Sequence, residues 1–161
     1  AVMPLVISLQ PLIFGISQLV TALQIGVFFA IGLYKVRKPG SLLIMALMMG
    51  LIQLMMSPPM FLSSVLNGVL VELIVLLLFR GYEKDSAVFC AAMLHTPLSL
   101  PFNYLYNRLI KGADSPLAAV ADRAPLAAVG MTLAVVAVSA LGALIGIKIA
   151  RELKKSGVLK K

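Results

Sequence analysis

Two ionisable side chains lie deep inside apolar runs: Glu72 in NGVLVELIVLLLF and His95 in CAAMLHTPLSLPFNYLY. A carboxyl or imidazole among such residues is costly, so each is a candidate functional group by default. Both fall near the middle of consecutive apolar segments. They can pair with each other, Glu72 can hold two helices together as a protonated acid, or one or both can contact a polar or cationic ligand.

The run that carries His95 adds Ser99 and Asn103 at steps of four and Tyr106 three further on. Residues at that spacing share a helix face. Pro97 and Pro101 lie in the same run and free backbone carbonyls, which a membrane tolerates only inside protein or against a cavity. Tyr104 and Asn107 join Asn103 and Tyr106 at its outer end. Gln53 and Ser57 share a face of an earlier segment, Asn67 stands a turn or two into the next, and Gln10 and Gln18 flank the first two segments. Together these groups predict a polar pocket opening outward. The expected ligand-binding set is Glu72, His95, Asn103, Tyr106, Asn67, Gln53, Ser99 and Tyr104.

Nothing in the pattern names a reaction. The chain has no HExxH, no phosphate-cradling glycine loop, no paired-aspartate metal motif and no serine-hydrolase elbow. We therefore expect no catalytic residue, no metal and no cofactor. The single cysteine, Cys90, sits in AVFCAAML and reads as a small core residue.

The elements that must position these groups are membrane spans. Of 161 residues, 61% are hydrophobic and 12% charged, and the mean hydropathy is +1.04. A soluble domain of this length carries about a quarter charged residues. Too little polar material is present to coat a globule, so the chain is all-α and polytopic. Spans of about 20 apolar residues are expected at Ile16–Tyr34, Ser41–Met56, Phe61–Phe79, Ala87–Tyr106 (interrupted by its prolines) and Pro125–Ile149. Ala1–Phe14 reads as a short or clipped first helix, with sequence expected before Ala1, making a single bundle of about six helices with a basic tail over 150–161. The outer connections are SPP at Ser57–Pro59 and the longer Asn107–Arg123.

Of the 14 lysines and arginines, eleven fall at one end of such a bundle, including KVRKPG at Lys35–Gly40 and the tail, and three at the other. The positive-inside rule puts the richer end, and both termini, in the cytoplasm. The same distribution accounts for the net charge of +8 without nucleic acid, since the cations fall between apolar segments and not along a face with exposed aromatics. The bilayer is the expected partner, in a prokaryotic plasma membrane. The spacings Gly26-x3-Ala30 and Gly142-x3-Gly146 suit close helix packing.

Several pieces resemble the substrate-binding membrane subunit, or S component, of energy-coupling factor importers. They are RKPG at Arg37–Gly40, the outer turn SPPM, GVLVELIVLLLFR at Gly68–Arg80 with its Gly68-x3-Glu72, and IARELKKSGVL at Ile149–Leu159. The chain looks closest to the branch handling thiamine or its hydroxymethylpyrimidine precursor. The resemblance implies a six-helix bundle, an outward pocket for a vitamin-like ligand, a transmembrane coupling protein and two cytoplasmic ATPases. Two other readings stay open: a small membrane enzyme acting on a lipophilic substrate, with Tyr104, Tyr106 and Arg108 at an interface, and a non-catalytic assembly or channel subunit.

Overall fold

A computed structural model of the protein describes residues 16–55, 58–110, 112 and 124–157. Five helices follow one another: α1 (Ile16–Lys35), α2 (Ser41–Leu54), α3 (Pro58–Phe79), α4 (Asp85–Ile110) and α5 (Pro125–Lys155). No strand occurs among the described residues. The expected short helix at Ala1–Phe14, with Gln10, lies outside them. So do Ser57, most of the loop before Arg123, and the tail beyond Gly157.

The boundaries follow from backbone chemistry. Pro39 disfavours helix at the residue before it, and Gly40 takes φ 87°, a left-handed value that a side chain would oppose. The chain therefore reverses between α1 and α2. Pro58 and Pro125 each open a helix, where a missing N–H costs nothing. Past α3, Arg80 turns the chain with φ 58°.

Two expectations are corrected here. The prolines of α4 do not interrupt it: the helix runs continuously through Pro97 and Pro101, held by α1, α3 and α5, which all pack against it. The segment from Asn107 to Ile110 belongs to this helix and not to the loop, and the Asn107 amide donates to the Asn103 carbonyl at 2.7 Å.

Three helices, α1, α3 and α5, are long and apolar enough to cross a membrane. At 14 residues, α2 is shorter, about 21 Å by its rise. By length α4 could cross, with 26 residues, but its polar groups dilute its hydropathy. It compensates by position, as the hub contacting both the α1–α5 pair and α3.

In the α1–α5 seam backbone meets backbone. A Cβ on Gly142 would stand 2.6 Å from the Leu23 carbonyl oxygen, and one on Gly146 2.7 Å from that of Val27. Only glycine allows that approach, so the small-residue spacing serves internal packing. On the other side α2 lays Leu42, Ala46 and Gly50 against α3. The opposite faces of α2 and α3 expose Ile44, Met48, Ile52, Leu62 and Leu77 to the surroundings, as lipid-facing helices do.

Candidate functional site: a polar layer across the core

Among the described residues, the buried apolar side chains form two separate clusters. The larger fills the half of the bundle next to the KVRKPG turn, with Phe29, Leu33, Leu42, Val71, Val75 and Tyr82 among its members. The smaller comprises Ala22, Leu100 and Val135, with Leu19 and Val138 packed on it. On every helix that contributes to both, small or polar residues stand between: Gly26 on α1, His95 and Thr96 on α4, and Ser139 on α5. On α3, Ser63, Ser64 and Asn67 precede the first residue of the larger cluster, Val71. A polar layer thus crosses the middle of the bundle.

These side chains are almost wholly enclosed: Asn67 is 1% exposed, Thr96 3%, His95 5% and Ser139 0%. Apart from Ser64, whose hydroxyl donates to the Ala46 carbonyl at 3.1 Å, they lack partners. Among the described residues, both amide atoms of Asn67, both ring nitrogens of His95 and the hydroxyls of Ser63, Thr96 and Ser139 have no hydrogen-bond partner. The His95 ring stacks on Phe29, centroids 4.4 Å apart and planes inclined by 29°. The Ser64 carbonyl faces that ring without reaching hydrogen-bonding geometry, which puts Asn67, one turn along α3, in the same neighbourhood. An unpaired buried polar group costs about 1–3 kcal/mol, so this many in one layer calls for a ligand, water or both.

Glu72 is placed otherwise than the sequence led us to expect. It does not pair with His95, and it sits about 7.5 Å along α3 from Asn67, towards the basic end. Its Oε1 accepts from the Gly40 N–H at 2.7 Å, and its Oε2 from the Leu43 N–H at 3.3 Å and the Tyr82 hydroxyl at 2.9 Å. Gly40 offers no side-chain cap to α2, and Glu72 supplies one from the next helix, its charge favoured by the helix dipole. Tyr82 is fully buried. Burial first, and then its bond to Glu72, push its hydroxyl far above the ordinary tyrosine value. This clasp closes the basic end of the larger cluster.

The remaining expected residues spread along the bundle and do not join one ring. Ser99 is half-buried and donates to the Thr96 carbonyl at 2.6 Å. Asn103, half-buried, stands two turns beyond His95, about 12 Å along α4. Tyr104 receives a hydrogen bond from Arg108, whose guanidinium also lies 5.7 Å from the centre of its ring. Tyr106 and Gln53 are half-buried near the far ends of α4 and α2. Of the expected set, only Asn67 and His95 belong to the layer itself, with Ser99 at its edge. The sequence reading missed Thr96, Ser63, Ser139 and the Phe29 platform. Ser139 carried a signal, being a lone hydroxyl in AVVAVSALGAL.

The basic end is tied by charge. Asp85 at the start of α4 accepts from Arg37 at 2.6 Å and from Arg151 of α5 at 2.6 Å, and Arg37 also donates to the Glu83 carbonyl. Partial burial raises the Asp85 pKa, but the Arg151 and Arg37 bonds outweigh it and hold the carboxyl below its ordinary value.

Long apolar helices, a lipid-facing surface and a polar layer sealed in mid-bundle define a multi-pass helical protein of the cell membrane. More particularly, the chain matches, over residues 1–155, the family described as hypothetical bacterial integral membrane protein (Trep_Strep), and it belongs to that family. No curated protein and no solved structure matches it.

Proposed function

We propose that the protein is the substrate-capture subunit of an energy-coupling factor importer for a vitamin or vitamin precursor, and not an enzyme. The observation that carries this reading is the layer of enclosed, unpartnered polar groups, Asn67, His95, Thr96 and Ser139. Groups that would otherwise be left without hydrogen bonds form a ready receptor for a polar molecule. Among the described residues, the apolar packing on the side away from the basic end is the smaller cluster alone. A ligand would enter there, from outside the cell by the charge rule. Release inward would need the coupling protein and two ATPases that the resemblance implies.

The layer also sorts ligands by charge. Glu72 lies outside the layer and is engaged by three donors, and none of the layer's own polar groups is an acid. Among the described residues a cationic ligand would find no free acid in the layer, whereas a neutral planar ring could stack beside Phe29 and His95 and bond to the Asn67 amide. Within the resembled branch this favours hydroxymethylpyrimidine over the thiazolium cation of thiamine.

The test is a thermal-shift screen of detergent-purified protein against water-soluble vitamins and precursors, both of these included. A ligand that binds only the folded state raises its stability. We expect a selective shift with a neutral heterocycle, weakened about tenfold or more in affinity by Asn67→Leu, as loss of one to two hydrogen bonds implies. A flat response from folded protein would refute the capture reading.

A further inference from the structure

At the basic end a groove of about 660 Å³ runs between the start of α4 and the last turns of α5. That volume is in the range of small-molecule sites. Its floor is apolar, made by Phe89, Leu144 and Ile147, and its rim is cationic, made by Lys148, Arg151 and Lys155. The two carboxylates of the lining, Asp85 and Glu152, are already committed. Asp85 serves two guanidiniums, Arg37 and Arg151, and Glu152 pairs with Lys155 at 2.9 Å across an exposed surface. Four cations thus face two carboxylates around this groove, and an exposed lysine pair of this kind holds its partner weakly.

We infer that this groove seats an anionic phospholipid. Lys148 and Lys155 take the phosphodiester, and an acyl chain lies over Phe89, Leu144 and Ile147. The order along α5 suits this occupant, with the apolar floor at Leu144 and Ile147 and the cationic rim at Lys148–Lys155, one to two turns nearer the basic terminus. A soluble anion would use the rim and leave the floor bare. A zwitterionic lipid would bring its own cation to a rim that already has an excess. Basic clefts between helices on the cytoplasmic side recognise anionic headgroups by this charge match. The inference is independent of what the polar layer binds.

The experiment measures binding of short-chain phosphatidylglycerol, short-chain phosphatidylcholine and sn-glycerol 3-phosphate to detergent-purified protein, by native mass spectrometry and thermal shift. Phosphatidylglycerol should be retained and should stabilise the protein, phosphatidylcholine should do so several-fold less, and glycerol phosphate should have no effect. Lys148→Gln with Lys155→Gln should weaken phosphatidylglycerol binding about tenfold, while the charge-matched control Lys35→Gln with Lys38→Gln leaves it unchanged. Equal binding of both lipids, a full response to glycerol phosphate alone, or equal losses in the two double variants would each overturn the assignment.

Discussion

Replacing Glu72 by Gln tests whether this carboxylate is a structural clasp or a ligand group. In the structure it accepts two backbone N–H groups of the α2 start and the Tyr82 hydroxyl, at 2.7, 3.3 and 2.9 Å. A hydrogen bond to a charged partner contributes about 1.5–3 kcal/mol. Glutamine keeps one oxygen, so one donor retains a neutral partner, while its NH2 is turned towards groups that are themselves donors. The net loss should be about 3 kcal/mol, or about 6–12 °C in Tm for a chain of this length. Tyr82→Phe removes one of the three bonds and should cost about 1.5 kcal/mol. If both act through the same clasp, Tyr82→Phe should cost at least about 1 kcal/mol less in the Glu72→Gln background. Reversible unfolding in detergent, followed by circular dichroism, reads all four proteins. Affinity for any ligand found in the vitamin screen should stay within about twofold of wild type. A Glu72→Gln protein that melts with the wild type but has lost that ligand would refute the clasp and return Glu72 to the binding site.

Gly142→Ala should destabilise the bundle by about 1–3 kcal/mol, because its Cβ meets the Leu23 backbone at 2.6 Å. Gly130→Ala, on the same helix with nothing within 4 Å, should be neutral or stabilising by up to about 1 kcal/mol; equal melting of the two variants would contradict the seam. Asp85 gives an acid limb. Its folded pKa is lowered, so its contribution is present above its ordinary value of 3.8 and is lost as pH falls through the folded value. Melting temperature should therefore drop below about pH 4, and Asp85→Asn should be less stable than wild type at pH 7 and lose less on acidification. His95→Phe should preserve the stack on Phe29 while abolishing ligand binding, with stability equal or higher because two unpartnered nitrogens leave the core.

The helices were legible in the sequence because hydropathy fixes them. The apolar runs at 16–34, 41–56, 61–79, 87–106 and 125–149 each became a helix, with some ends shifted by a few residues. Pro97 and Pro101 read as breaks because local propensity favours one, and three neighbouring helices override it. The clasp made by Glu72 is hidden for a related reason. The partner that accounts for it is the α2 start, 29 to 32 residues earlier in the chain, and no periodicity within α3 signals a bond to another helix terminus. His95 and Asn67 stand out as polar residues in apolar runs, but that they share one layer does not, since it depends on how α3 lies against α4. Phe29 was invisible as a site residue, because an aromatic in an apolar helix looks like any other lipid-facing or core side chain.

The glycine seam has a mechanical consequence. Backbones that touch without intervening side chains have little freedom to slide, so α1 and α5 should behave as one stiff unit, whereas α2 and α3 form a second layer joined to it chiefly through α4. With 31 residues, α5 is about 46 Å long, roughly half again the thickness of the hydrocarbon, and its surplus projects at the basic end as a handle. Ser139 stands halfway along α5, while Asn67 belongs to α3 and the other layer. The polar layer draws its groups from both units, so any displacement of one against the other would separate Asn67 from Ser139.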